Sequence, residues 1–273
     1  MNPWTLSAFG LNTAAVVMAL GWLVARRVKN PGCLDVACSY GFAVVACLYA
    51  MIGLGDPARK WLLATMVILS SLQRGTFLLL EIIRQHPEER PRYVALREQF
   101  PKRPWLMFFG YSQYQAALIA LLSVPFAIIC SNSSSTLNGF EVAASLLWAA
   151  AICGEVAANI QALRFRSNPE NSRKVCAQGL WRYSRHPQYL FEWLTWLAYF
   201  LFCLGSPSGW ISIYCPLIVL CSLTRISGIP PDEKRSLEVF GDQYRLYQRT
   251  TSAFFPRPPR NDLETGRDQA RDT

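Results

Sequence analysis

Residues 179–193 read Gly-Leu-Trp-Arg-Tyr-Ser-Arg-His-Pro-Gln-Tyr-Leu-Phe-Glu-Trp and stand at the mouth of a long apolar run. Arg182, Tyr183, Arg185, His186, Tyr189 and Glu192 crowd around Pro187. Ionisable groups at membrane depth are costly and usually functional. Arg and Tyr also serve as interfacial anchors, a role that suits His186 and Glu192 poorly. Pro187 fits a first helical turn, where its missing N–H costs nothing. Glu192 then falls six residues after His186, inside the apolar segment, where a buried carboxylate needs a donor. Arg185, or a hydroxyl or amide of a bound ligand, could supply it. His186 could donate to a phosphate or ribose, act as an acid, or cap the helix.

Two further polar sets lie nearby. The first runs from Glu155 through Asn159, Gln161, Arg164, Phe165, Arg166, Asn168, Asn171 and Arg173 to Lys174. Helical spacing puts Glu155 and Asn159 on one face, with Arg166 near it. Such a face points towards protein or a water-filled cavity, or forms a hydrogen-bonded cluster between helices. The second is the ending that begins Ile229-Pro-Pro-Asp-Glu-Lys and closes on Phe255-Pro256. Leu237, Phe240, Tyr244 and Tyr247 recur at spacings of 3, 4 and 3, one amphipathic helix lying on the membrane or closing over a site.

The elements that must position these groups are membrane helices. Of 273 residues, 52% are hydrophobic and 16% charged, where soluble domains run nearer a quarter charged. Blocks of bilayer-spanning length occur at roughly 5–25, 38–55, 61–83, 105–130, 140–163, 188–204 and 209–224. The expected fold is an all-α polytopic transmembrane bundle of about seven helices, with a C-terminal amphipathic helix. One domain is expected over 1–256, followed by a polar disordered tail over 257–273. The first segment reads as a retained helix, since it has no basic leading region and no small-residue cleavage site.

Basic loops follow the first helix (Arg26, Arg27, Lys29), fill 84–104 (Arg84, Arg90, Arg92, Arg97, Lys102, Arg103) and fill 164–187, whereas 131–138 carries no charge. The positive-inside rule makes the basic loops and the C-terminus cytoplasmic. Topology accounts for most of the net charge of +9. The expected partner is the bilayer, with no nucleic acid; the charge leaves both an anionic lipid and an anionic cofactor open and does not separate them. Nine scattered cysteines and two histidines contain no Cys-x-x-Cys and argue against a metal site. Asn132-Ser133-Ser134 is a glycosylation sequon placed very near helix ends.

The segment Arg164–Tyr189, with GLWRYSRHPQY and then Glu192, resembles the steroid 5-alpha-reductase C-terminal-domain superfamily, and more closely its DUF1295 branch. The ending SGIPPDEKRSLEVFGDQYRLYQRTTSAFFPRPP is similar to that branch's ending, and Gln73-Arg74 and Pro91-Arg92-Tyr93 agree in the middle. The resemblance covers about residues 60–259. It implies NADPH entering from the cytoplasm and hydride transfer to an activated carbon–carbon double bond of an apolar, lipid-like substrate: a sterol, polyprenyl or long acyl chain. It also implies an endoplasmic-reticulum location. Carried onto this chain, the cofactor set is Arg92, Asn159, Arg166, Asn171, Lys174, Arg185, His186, Gln188, Tyr189, Glu192, Arg225 and Tyr244, with His186, Tyr189 and Glu192 as catalytic candidates.

The chain departs from that pattern. Asn159 stands where Asp is usual, and Gln188 where Asn is usual. Ser71 takes the place of a substrate-polarising Tyr, and the early acids Asp35 and Asp56 fall at expected loop positions. Isoprenylcysteine carboxyl methyltransferases look similar in the same region: RHPxY, a Glu, then a Glu before FGxxYxxY, matched here by Glu233 and Phe240–Tyr247. That alternative implies S-adenosylmethionine. A third is a bundle that has lost catalysis.

Overall fold

The computed structural model of the chain describes residues 1–85, Glu89 and residues 91–260. Arg90 and residues 261–273 of the expected tail lie outside the described residues. Among the described residues every regular element is helical. The α-helices are α1 (Pro3–Val28), α2 (Cys33–Ile52), α3 (Pro57–Gln85), α4 (Pro91–Gln99), α5 (Pro104–Leu122), α6 (Val124–Ser131), α7 (Gly139–Ser167), α8 (Pro187–Cys203), α9 (Tyr214–Cys221), α10 (Ile229–Phe240) and α11 (Asp242–Thr250).

Among the described residues, six stretches are long and apolar enough to cross a membrane: Pro3–Val28, Cys33–Ile52, Pro57–Arg84, Pro104–Ser131, Gly139–Ser167 and Gly209–Phe240. The chain is therefore a multi-pass helical membrane protein. The remaining expected span, α8, is 17 residues long, at the lower limit of spanning length. The apolar part of Gly209–Phe240 ends before Asp232, Glu233, Lys234 and Arg235, so α10 lies beyond the spanning stretch.

Local chemistry sets the boundaries. Asn2 caps α1, accepting from the Thr5 N–H at 2.8 Å, ahead of Pro3. The expected 105–130 helix is interrupted at Ser123, because Pro125 has no N–H to continue the ladder. The expected single helix of the ending is also two: α10 and α11 meet at Gly241, whose φ of 54° and ψ of −125° suit only glycine.

The chain forms two compact units. The first comprises residues 1–143 and 199–212. Its core includes Leu6, Met18, Tyr49, Phe108, Phe126 and Phe202, and Gly10 leaves room for the Tyr49 hydroxyl. Near the uncharged 131–138 loop, the buried Arg59 pairs with the buried Glu141 and donates to the carbonyls of Ser134 and Thr136. Breaking such a pair leaves an uncompensated charge, so it fixes this end of the unit.

The second unit comprises residues 144–198 and 213–273, described to Arg260. Leu190, Ile229 and Phe254 form its apolar centre, with Tyr189, Trp193, Leu194 and Leu220 packed around them. The chain after α11 runs back alongside residues 183–185. The Arg185 N–H donates to Ser252 O at 2.8 Å, and the Arg257 N–H to Tyr183 O at 3.0 Å. Arg260 also donates its N–H to Thr250 O at 2.9 Å, so the ordered chain continues past the expected boundary at residue 257.

Candidate functional site

The second unit holds every expected site residue but Arg92, and Arg185, His186, Gln188 and Tyr189 stand at the start of α8. Arg185 uses its whole guanidinium within the protein. Nη2 and Nε meet Glu233 Oε1 at 2.6 and 2.8 Å, and Nη1 donates to Gln248 O at 2.9 Å and Thr251 O at 2.5 Å. Gln248 Nε2 donates to the other Glu233 oxygen at 3.0 Å. Arg185 therefore ties together α8, α10, α11 and the ending.

His186 is 3% exposed, with Nε2 3.4 Å from Glu233 Oε1. Its ring stacks on Tyr189 at 5.7 Å, and the Tyr189 hydroxyl donates to Asp232 Oδ2 at 2.8 Å. His186 Nδ1 and Gln188 Oε1 are buried and have no hydrogen-bond partner. Buried polar atoms are normally paired, so both are places where a ligand can bond.

Charge follows this geometry. Burial raises the Glu233 carboxyl, but hydrogen bonds from His186 and Arg185, and their charges, outweigh it and bring it from 4.5 to about 2. Burial, with Glu233 nearby, pushes the Tyr244 phenol up to about 12. Tyr244 is buried beside Tyr247, whose hydroxyl donates to Trp181 O.

The loop between α7 and α8 is held against this cluster. Gln161 accepts from the Leu180 N–H at 2.9 Å, Trp181 Nε1 donates to Ala158 O at 3.0 Å, and Gln243 accepts from the Val175 N–H at 3.0 Å. Gly179 fits at φ 60° directly against Gln161. Arg164, Arg166, Arg173, Lys174 and Arg182 are exposed and pair with no carboxylate among the described residues. Asn171 Nδ2 turns back to Phe165 O at 3.1 Å and so shapes the loop itself. Asn159 is half-buried one turn beyond the buried Glu155 on α7, Glu192 is half-buried on α8, and Arg225 is exposed in the turn after α9.

Arg92 belongs to the first unit. There it pairs with Asp35, which also accepts from the Tyr93 hydroxyl at 2.8 Å. Asp35 is not a loop residue as expected. It is buried in the first turn of α2, because Cys33, Leu34 and Asp35 already bond back to Asn30, Pro31 and Gly32. Ser71 is buried on α3 of the same unit.

Sequence reasoning missed Asp232, Gln248 and Ser184. Ser184 Oγ accepts from the His186 N–H at 3.2 Å and donates to Phe254 O at 2.8 Å. An acid pair straight after two prolines signalled a helix start; its pairing with Arg185 and Tyr189, more than forty positions earlier, left no local trace. Among the described residues, no three His, Cys, Asp or Glu side chains converge as metal ligands would.

A family model described as protein of unknown function (DUF1295) matches residues 21–251, and the chain belongs to that family. An uncharacterized protein of Schizosaccharomyces pombe is 41% identical over 86 residues, covering 30% of this chain. The match spans 23% of that relative's length. No solved structure matches the chain.

Proposed function

We propose that this protein is an integral-membrane, NADPH-dependent reductase of an activated carbon–carbon double bond in an apolar, lipid-like substrate. The observation that carries this reading is the run of exposed, unpaired cations from Arg164 to Arg182. It is docked beside a turn whose His186 Nδ1 and Gln188 Oε1 are buried without partners. A multiply phosphorylated dinucleotide suits such cations through charge-assisted, often bidentate bonds. Its hydroxyl and amide groups suit the orphaned atoms.

Arg166 and the Asn171–Lys174 segment hold the phosphates, and His186, Gln188 and Glu192 orient the ribose and amide portions. When bound, the nicotinamide supplies the hydride. The chain's own share is placement and proton handling. Asp232 fixes the Tyr189 hydroxyl and Glu233 fixes the His186 ring, which leaves His186 Nδ1 as the ring atom open to a hydrogen bond or proton exchange with a bound ligand. The basic loops face the cytosol by the positive-inside rule, which suits a cytosolic cofactor and an endoplasmic-reticulum membrane.

One observation favours a second reading, an S-adenosylmethionine-dependent methyltransferase. Glu233, which precedes the Phe240–Tyr247 stretch, bonds directly to Arg185 of the RHPQY turn. This joins the two motifs shared with isoprenylcysteine carboxyl methyltransferases.

Titration of detergent-purified protein with NADPH, NADH and S-adenosylmethionine separates the readings. NADPH should bind more tightly than NADH, and both Arg166→Ala and Lys174→Ala should weaken it by roughly ten-fold or more each, the worth of a charge-assisted bond. Binding of S-adenosylmethionine alone, indifferent to both substitutions, overturns the reductase in favour of the methyltransferase. No binding by folded protein favours a bundle without catalysis.

A further inference from the structure

The first unit contains a second buried polar group that the reductase reading does not use, built on α2, α4 and α5. Its centre is Asp35, 8% exposed. The Tyr93 hydroxyl donates to Oδ1 at 2.8 Å, Gln115 Nε2 donates to the same oxygen at 3.4 Å, and Arg92 Nη2 pairs with Oδ2. Burial, and then the Asp35 charge, raises the Tyr93 phenol well above its ordinary range, so Tyr93 remains a donor. A carboxylate only accepts, which fixes the Gln115 amide with its nitrogen towards Asp35 and its oxygen away.

Two atoms of this group are buried without a partner: Gln115 Oε1, an acceptor, and Arg92 Nε, a donor. Gln115 is 7% exposed and Tyr93 fully buried. Both orphans belong to side chains bonded to one carboxylate. A hydroxyl supplies what each lacks, since it accepts one hydrogen bond and donates another. A carbonyl or ether oxygen could satisfy Arg92 but not Gln115. Tyr93, bonded to the same carboxylate, packs among aromatic rings: it meets Phe108 edge-on at 6.0 Å and Tyr111 at 6.1 Å. The unmet polar demand is thus small, one acceptor and one donor.

We infer that Arg92 and Gln115, organised by Asp35, bind the hydroxyl group of an apolar alcohol. The inference needs no cofactor and stands or falls independently of the reductase reading. It gives Arg92 a role towards lipid, in place of the cofactor contact that resemblance implies. A buried water could make the same two bonds, and the test separates the two occupants.

The probe is a long-chain primary alcohol carrying a diazirine, compared with its methyl ether, on the full chain in detergent. The alcohol should bind more tightly than the ether by roughly two- to ten-fold, the worth of one neutral hydrogen bond. Gln115→Met, checked for an unchanged melting profile, should erase that preference. Photolabelling of the unsubstituted protein should mark α4 and α5 around Tyr93 and Tyr111, a result that does not depend on the variant folding. Equal binding of alcohol and ether would mean a water only and would overturn the inference. So would a preference that survives Gln115→Met, or label found only outside these helices.

Discussion

Arg185 and Glu233 are better understood as a pin than as free ligand contacts. The carboxylate receives Arg185, His186 and Gln248, and the guanidinium closes on two carbonyls of the ending. Because the Glu233 carboxyl is lowered in the folded state, its stabilising contribution is complete above its ordinary value of 4.5 and is lost as pH falls through about 2. Acidification from about pH 5 to about pH 3 should lower the melting temperature of the purified protein, and Glu233→Gln should flatten that part of the curve. An identical acid limb in the variant would show that other carboxylates carry it. Glu192 poses a different question, since it lies half-buried within α8. If it bonds a cofactor, Glu192→Gln should cost about 1.5–3 kcal/mol of binding, roughly ten- to hundred-fold in affinity, with little change in melting. Normal binding with earlier melting would make it a contact between helices.

At the scale of elements, the ending shows how far pattern alone carries. The Leu237–Tyr247 stripe marks the side that packs: Tyr244 and Tyr247 are buried, and Leu237 and Phe240 half-buried. The stripe could not show the break, because its periodicity continues across Gly241 while the backbone does not. No atom stands within 4 Å of a Cβ added there, so Gly241→Ala tests backbone strain alone. It should destabilise the protein by about 1–3 kcal/mol; unchanged melting would mean that α10 and α11 can meet in another conformation. The RHPQY turn was legible because its chemistry is contiguous. So was the cationic loop, whose charges no nearby acid balances except Glu170. What sequence spacing could not supply were partners distant along the chain: Asp35 with Tyr93, and Tyr189 with Asp232. Asp35 looked like a loop residue because the turn that starts α2 follows Pro31-Gly32, which reads as punctuation.

For the whole molecule, the remaining question is which side of the membrane the pinned cluster faces. The loops around the second unit's site are rich in Arg and Lys, whereas residues 131–138 carry no charge. The positive-inside rule proposes a cytosolic face for the cationic loop and the ending, and a non-cytosolic one for the 131–138 loop, which protease access can test. That loop carries the sequon at Asn132, but its side chain is already engaged: Nδ2 donates to Ser206 Oγ at 3.0 Å and to Gly205 O at 3.3 Å. An amide held in this way, one residue beyond α6, is a poor acceptor for a bulky glycan even on the glycosylated side. In sealed vesicles with the cytosolic face outward, added protease should trim the polar, charged sequence after Arg260, as its composition suggests. Residues up to Arg260 should remain, because Arg257 and Arg260 bond back to Tyr183 and Thr250. The same preparation should show no mobility shift on endoglycosidase treatment. Protection of the end of the chain would reverse the orientation and put the cationic loop away from cytosolic NADPH. A glycan at Asn132 would show instead that the Asn132–Ser206 contact opens in the membrane.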